Sequence, residues 1–153
     1  MYVRYPQGVY EEVGYVAQVA KAELIDDFVG RRVWAVVGAS ENTAKYGNRV
    51  FRSLYRSGYT VYPINPAGGE LEGVPMYPTL ASLPEMPEVV NLVVPPEVTE
   101  KIVREANELG LARIWMQPGA ESEAAIEYCH EQGMQVVYDA CAMVHSRQWS
   151  RDR

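Results

Sequence analysis

The segment Gly38-Ala39-Ser40-Glu41-Asn42-Thr43-Ala44-Lys45-Tyr46-Gly47 holds what is needed to bind a phosphate. It links an apolar run to a helical period. Gly38 permits a tight turn, and Gly47 lets a ligand or the sheet approach the helix start closely. A helix N-terminus offers unpaired N–H groups and a partial positive charge, to which Lys45 adds a full one. The spacing is not the Gly-x-Gly-x-x-Gly dinucleotide fingerprint. Taken alone, the segment fits an ordinary turn before a capped helix equally well.

Four other segments have the same placement. Asn65-Pro66-Ala67-Gly68 stands where a dinucleotide unit places an acidic residue for the ribose diol. A neutral, backbone-rich loop suits a phosphorylated ribose better than a free diol. Val94-Pro95-Pro96 makes a rigid apolar shelf for a flat ring, although Pro also simply suits a first helical turn. Gln117-Pro118-Gly119-Ala120 brings the amides of Gly119 and Ala120 to a second polar group. Asp139-Ala140-Cys141 puts a thiol at the last strand exit, where a small buried residue is the plainer reading. Cys129 falls inside a helix and is most simply core.

Alternating strand and helix patterns must position these segments. Val33–Val37, Thr60–Ile64, Val89–Val94, Arg113–Met116 and Gln135–Tyr138 read as apolar strands. Pro63 places the second at a sheet edge or strand end. Residues 16–29, 46–57, 97–109 and 121–132 read as helices, with Val98, Ile102, Val103 and Ala106 inward on the third. Residues 65–87 read as connection with a helical turn near Leu80. The stretch after Asp139 reads as irregular, and residues 1–15 as a tyrosine-rich arm without a period. This alternation calls for a doubly wound parallel sheet of about five strands between two helical layers, a three-layer α/β/α architecture. Ligands of such sheets bind at the carboxyl ends of the strands.

Length and composition bound the reading. The 153 residues, 48% hydrophobic and 22% charged, suit one globular domain over 1–153 with a core at about 20–147. Fourteen Lys and Arg against twenty Asp and Glu give a net charge of −6, which argues against nucleic acid. Backbone N–H groups can still hold one phosphorylated ligand. Two cysteines make neither a disulfide framework nor a zinc site. No apolar run is long enough for a membrane span, and no signal peptide is visible. A cytoplasmic setting is the expectation. Asp26-Asp27 and Glu121/Glu123 are sequence neighbours that do not face each other on a helix, so no metal site follows. Arg49, Arg52 and Arg56 read as a solvated helix face.

In combination the segments are more specific than apart. Val37-Gly38-Ala39-Ser40 with Lys45 and Gly47, Tyr62-Pro63-Ile64-Asn65-Pro66, Gly73 with Tyr77, Val94-Pro95-Pro96, Gln117-Pro118-Gly119-Ala120 and Asp139-x-Cys141 occur in order at the strand ends. With them the chain, over about residues 20–147, resembles the stand-alone coenzyme A-binding domain proteins. These are similar to the N-terminal nucleotide domain of the succinyl-CoA synthetase alpha subunit. The resemblance implies a Rossmann-like fold and coenzyme A as the small-molecule ligand. It implies that residues 40–47 hold the phosphates, 65–68 lie near the phosphorylated ribose and 94–96 near adenine. Relatives often carry a lysine just after the second-loop proline. Ala67 and Gly68 stand here, which moves the charge to Lys45 or an arginine. These 153 residues hold neither the phosphohistidine nor the ligase domain of the synthetase, so its chemistry is not expected of them.

The sequence reading therefore expects a binder of CoA or an acyl-CoA, without catalysis. His130 and His145 have no obvious acid–base partners. Three alternatives stay open: a redox sensor or enzyme using Cys141 with CoA, helped by His145 if the tail is helical; an NAD(P)-binding protein, disfavoured by the loop spacing; and a homodimer or partner-binding module docking through the N-terminal tyrosines.

Overall fold

The computed structural model describes residues 9–149, with side chains described from residue 18 onward. Tyr2 and Tyr5 lie outside the described residues, and so do the side chains of Tyr10 and Tyr15. Helix α1 spans Val9–Val29, so it begins well before the expected residue 16. Three alternations of strand and helix follow: β1 (Val33–Val37), α2 (Tyr46–Arg56) and β2 (Thr60–Ile64); β5 (Val89–Leu92), α3 (Pro96–Glu108) and β6 (Arg113–Met116); α4 (Glu123–Glu131) and β7 (Gln135–Val137). The expected connection after β2 contains a small antiparallel hairpin, β3 (Glu70–Leu71) with β4 (Val74–Pro75), and one 3-10 turn at Leu80–Ser82. The stretch after Asp139 is not wholly irregular, because α5 forms at Ala142–His145.

The five main strands are parallel in the order β2-β1-β5-β6-β7. Strand order reverses between β1 and β5, which opens a crevice at their carboxyl ends. Pro63 sits on the edge strand as expected. Its carbonyl faces outward and accepts the Tyr77 amide at 2.9 Å, while the Ile64 carbonyl bonds inward to Gly38 at 3.0 Å. Val93 and Val94 lie beyond the end of β5, two residues short of the expected strand.

Strand alternation divides the core. Trp34, Val36 and Trp115 face the layer of α1, α2 and α5, where Phe28, Phe51 and Leu54 are fully buried with them. Trp34 and Trp115 tilt against each other with ring centroids 5.7 Å apart. Ala35, Val37, Ile114 and Met116 face α3 and α4, meeting Val103, Ala106 and the fully buried Cys129. On α3 the buried stripe is Thr99, Val103 and Ala106, and Thr99 bonds the Ala120 carbonyl at 2.8 Å. Val98 and Ile102, expected inward, are only half-buried. After α5 the chain turns back over Tyr59, whose ring meets Trp149 edge-on at 5.8 Å. No helix among the described residues is long and apolar enough to cross a membrane.

Candidate functional site

All five segments emerge at the carboxyl edge of the sheet. Two glycines set the first loop. Gly38 has φ +92°, and a Cβ there would stand 2.0 Å from the Val93 carbonyl oxygen. A Cβ on Gly47 would stand 2.0 Å from the Gly38 carbonyl oxygen. The close approach permitted by Gly47 is therefore to the strand exit itself, and it seats the tip of α2 directly on the crevice.

Within that loop three amides bond locally. Asn42 N–H bonds Ser40 Oγ at 3.1 Å and Ala44 N–H bonds Asn42 Oδ1 at 3.0 Å. Lys45 N–H bonds the Asn42 carbonyl at 3.0 Å. Asn48 ties the loop to its helix, donating to the Ser40 carbonyl at 2.8 Å. Tyr46 and Gly47, the first two residues of α2, have no backbone acceptor for their amides among the described contacts. Lys45 precedes them in extended conformation, with an exposed side chain. Unpaired amides at a helix start beside a cation are an arrangement that attracts an anion. Glu41, in the same loop, accepts the Glu70 amide at 2.8 Å.

Asn65 locks the second loop to the first. Its Nδ2 donates to the Ala39 carbonyl at 2.7 Å, and its Oδ1 accepts the Ala67 amide at 2.9 Å. Gly68 N–H bonds the Asn65 carbonyl at 3.1 Å. A cavity of about 260 Å³ opens between these loops and α3, lined by Gly38, Asn65, Pro66, Leu80, Val94, Val98, Ile102 and Glu105 among others. The sequence reading placed Gly38, Asn65, Pro66 and Val94 at the site. It did not foresee Pro78, Thr79 and Leu80 in the wall of this cavity, although it expected a turn near Leu80, and it gave Val98 and Ile102 to the core.

The fourth segment departs from expectation. Gly119 N–H bonds Glu121 Oε2 at 2.7 Å and Ala120 N–H bonds the Gln117 carbonyl at 2.8 Å, so neither amide is free for a second polar group. Pro95 and Pro118 instead wall an open hollow of about 280 Å³ with Val93, Val94, Gly119 and Ala120. Pro96 is the first residue of α3.

Gln117 and Cys141 belong to a cluster that spacing does not reveal. Gln117 is fully buried. Its Oε1 accepts the Ala142 amide at 2.8 Å and faces Asn91 Nδ2 at 3.4 Å. Its Nε2 reaches Tyr46 Oη at 3.0 Å and Cys141 Sγ at 3.5 Å, and Tyr46 Oη lies 3.1 Å from Cys141 Sγ. Burial alone would raise the Cys141 pKa, but hydrogen bonds from Tyr46, Gln117 and the Met143 and Val144 amides outweigh it and hold the thiol below its ordinary range. Tyr46 is pushed up to about 12, first by burial and then by Cys141. Burial pushes Cys129 up to about 11.

The remaining candidates are structural or absent. Arg52 and Arg56 pair with Glu72 at 3.1 and 3.6 Å. No group of three His, Cys, Asp or Glu is placed to hold a metal among the described residues. A larger cavity, about 420 Å³, lies at the β7 edge between α1 and α4 and shares only Asp139 with the five segments.

Comparison with known proteins agrees with this architecture. A family model for the CoA binding domain matches residues 32–147. The acetate–CoA ligase (ADP-forming) I of Archaeoglobus fulgidus is 33% identical over 96 residues, covering 63% of this chain and 14% of the ligase. The chain thus matches only about a seventh of that enzyme's length. The uncharacterized protein YneT of Bacillus subtilis is 27% identical over 125 residues, covering 82% of this chain and 93% of YneT. A solved structure of a conserved hypothetical protein from Pyrococcus furiosus superposes with a TM-score of 0.72 at 40% identity, covering 75% of this chain and 99% of that one. A Rossmann-like sheet with its switch point under these loops, together with the match over residues 32–147, makes this chain a member of the CoA-binding domain family.

Proposed function

We propose that this protein binds coenzyme A or an acyl-CoA along the carboxyl ends of its strands, as a single domain over residues 1–153 and without catalysis of its own. The observation that carries the reading is the line of the loops. The 260 Å³ cavity beside Asn65, the α2 tip beside Gly38 and the hollow beside Pro118 follow one another across the switch point. A flat ring fits the first, pyrophosphate meets the amides of Tyr46 and Gly47 with Lys45 adding charge, and the pantetheine arm runs toward the third. Gly38, Ala39, Ser40, Asn65, Pro66, Ala67, Gly68, Val94, Pro95 and Pro96 then frame the nucleotide, with Gln117, Pro118, Gly119 and Cys141 toward the arm.

Asn65 argues against a dinucleotide. Its amide is committed to Ala39 and Ala67, and no carboxylate takes the place that would grip a ribose diol. Calorimetric titration with CoA, dephospho-CoA and NAD tests the proposal. CoA is expected to bind more tightly than dephospho-CoA, and NAD to give negligible heat. Negligible heat from all three refutes it.

A further inference from the structure

Cys141 is held by a hydrogen-bond line of fixed direction. The Ala142 amide must meet an acceptor, so Gln117 turns Oε1 toward it and Nε2 toward Tyr46. Asn91 Nδ2 faces the same Oε1 and reinforces that orientation. Tyr46 Oη therefore receives a hydrogen from Gln117 at 3.0 Å, which leaves its own hydrogen for Cys141 Sγ at 3.1 Å. Donors converge on the sulfur, and such an arrangement favours the thiolate, the nucleophilic form. A second observation marks the cluster as unfinished. Asn91 is fully buried against Gln117, and its Oδ1 has no hydrogen-bond partner among the described residues. A buried polar atom left unpaired calls for a donor that occupies the cluster.

The geometry also ties the thiol to the proposed ligand path. Tyr46 is both the first residue of α2, where the phosphates are proposed to sit, and the direct partner of Cys141. That one side chain bridges the α2 tip and the thiol, a gap shorter than a pantetheine arm. A pantetheine arm has about twelve backbone bonds, equal to some four peptide units, and spans about 14 Å when extended.

We propose that Cys141 is an exchange-active thiol, positioned by Tyr46 and Gln117, that forms a mixed disulfide with coenzyme A by reacting with CoA disulfide. This rests on the CoA-binding reading. The Cys141 thiolate attacks one sulfur of the CoA disulfide. The Sγ–S bond forms as the S–S bond breaks, and one CoA leaves as thiolate and takes up the proton that Cys141 gave to solvent. Cys141 is oxidised and the departing CoA sulfur is reduced, so no further oxidant enters.

The test is intact mass over time after mixing the full chain with CoA disulfide or glutathione disulfide. It is run on wild type, Cys141→Ser and Tyr46→Phe, and each protein is also titrated with CoA. Expected are one CoA adduct on wild type, none on Cys141→Ser, and faster reaction with CoA disulfide than with glutathione disulfide. Tyr46→Phe is expected to react roughly three- to tenfold more slowly at pH 7, with the midpoint of its alkylation pH profile moved upward. If wild type and Cys141→Ser bind CoA but no adduct forms, the thiol inference fails and CoA binding stands. Equal rates with the two disulfides refute the link to CoA. An unchanged pH profile in Tyr46→Phe refutes the positioning role. A chain that binds no CoA overturns both readings.

Discussion

Replacing Gly47 by alanine tests how the site is built. The new Cβ would stand 2.0 Å from the Gly38 carbonyl oxygen, whereas real Cβ atoms essentially never come under 3.0 Å. The contact is backbone to backbone, so no flexible side chain can yield. The tip of α2 must then retreat by about 1 Å, at a typical overpacking cost of about 1–3 kcal/mol. For a chain of this size that is a fall in Tm of roughly 2–12 °C, so the variant stays folded at room temperature. Binding should suffer further. Moving the amides of Tyr46 and Gly47 by about 1 Å takes them out of hydrogen-bond range of an anion. Losing one charge-assisted hydrogen bond, about 1.5–3 kcal/mol, raises Kd roughly 10–100-fold. Thermal unfolding gives the first quantity and calorimetry at 20 °C the second. A Gly47→Ala protein that loses stability yet binds CoA with unchanged affinity refutes the assignment of the phosphates to the α2 tip.

Lys45→Ala should weaken CoA binding by roughly two- to tenfold and flatten its dependence on salt, read by titration at two ionic strengths. Asn65→Ala should lower stability by about 1–2 kcal/mol in urea unfolding, because it frees the Ala39 carbonyl and opens the second loop, and it should weaken CoA in parallel. Asp27→Asn should reduce stability at pH 7 by no more than about 1 kcal/mol, since its ion pairs with Arg31 and Arg113 are partly exposed. Burial raises the Asp27 pKa, but the bonds to Arg31 and Arg113 hold it below its ordinary value. That stabilisation is complete above the unfolded carboxylate range and is lost as pH falls through the folded pKa, so wild type and Asp27→Asn should converge in acid.

The sheet was legible because buried parallel strands are largely apolar runs: Val33–Val37 is continuous, and Val89–Leu92 is broken only by Asn91. The first loop was legible as a tight turn at a strand exit, because Gly38 takes the positive φ that such a turn needs. Elsewhere the signal failed for physical reasons. Residues 9–15 carry two tyrosines and one glycine with no apolar stripe, yet the backbone there is helical. Glu121 reads as a helix-start residue, but its carboxylate takes the Gly119 amide that a ligand was expected to use. Val98 and Ile102 keep helical spacing with Val103, yet the cavity draws them to its wall while Thr99 takes the core position. The line from Asn91 through Gln117 and Tyr46 to Cys141 joins four distant parts of the chain and leaves no trace in spacing.

The most direct test is electron density from crystals of the full chain grown with CoA. The account predicts pyrophosphate over the amides of Tyr46 and Gly47, adenine in the cavity between Asn65, Leu80 and Val94, and the pantetheine arm passing Pro118. Nucleotide density at the β7 edge beside Lys21 and His130, or none in the switch-point crevice at saturating CoA, would contradict it.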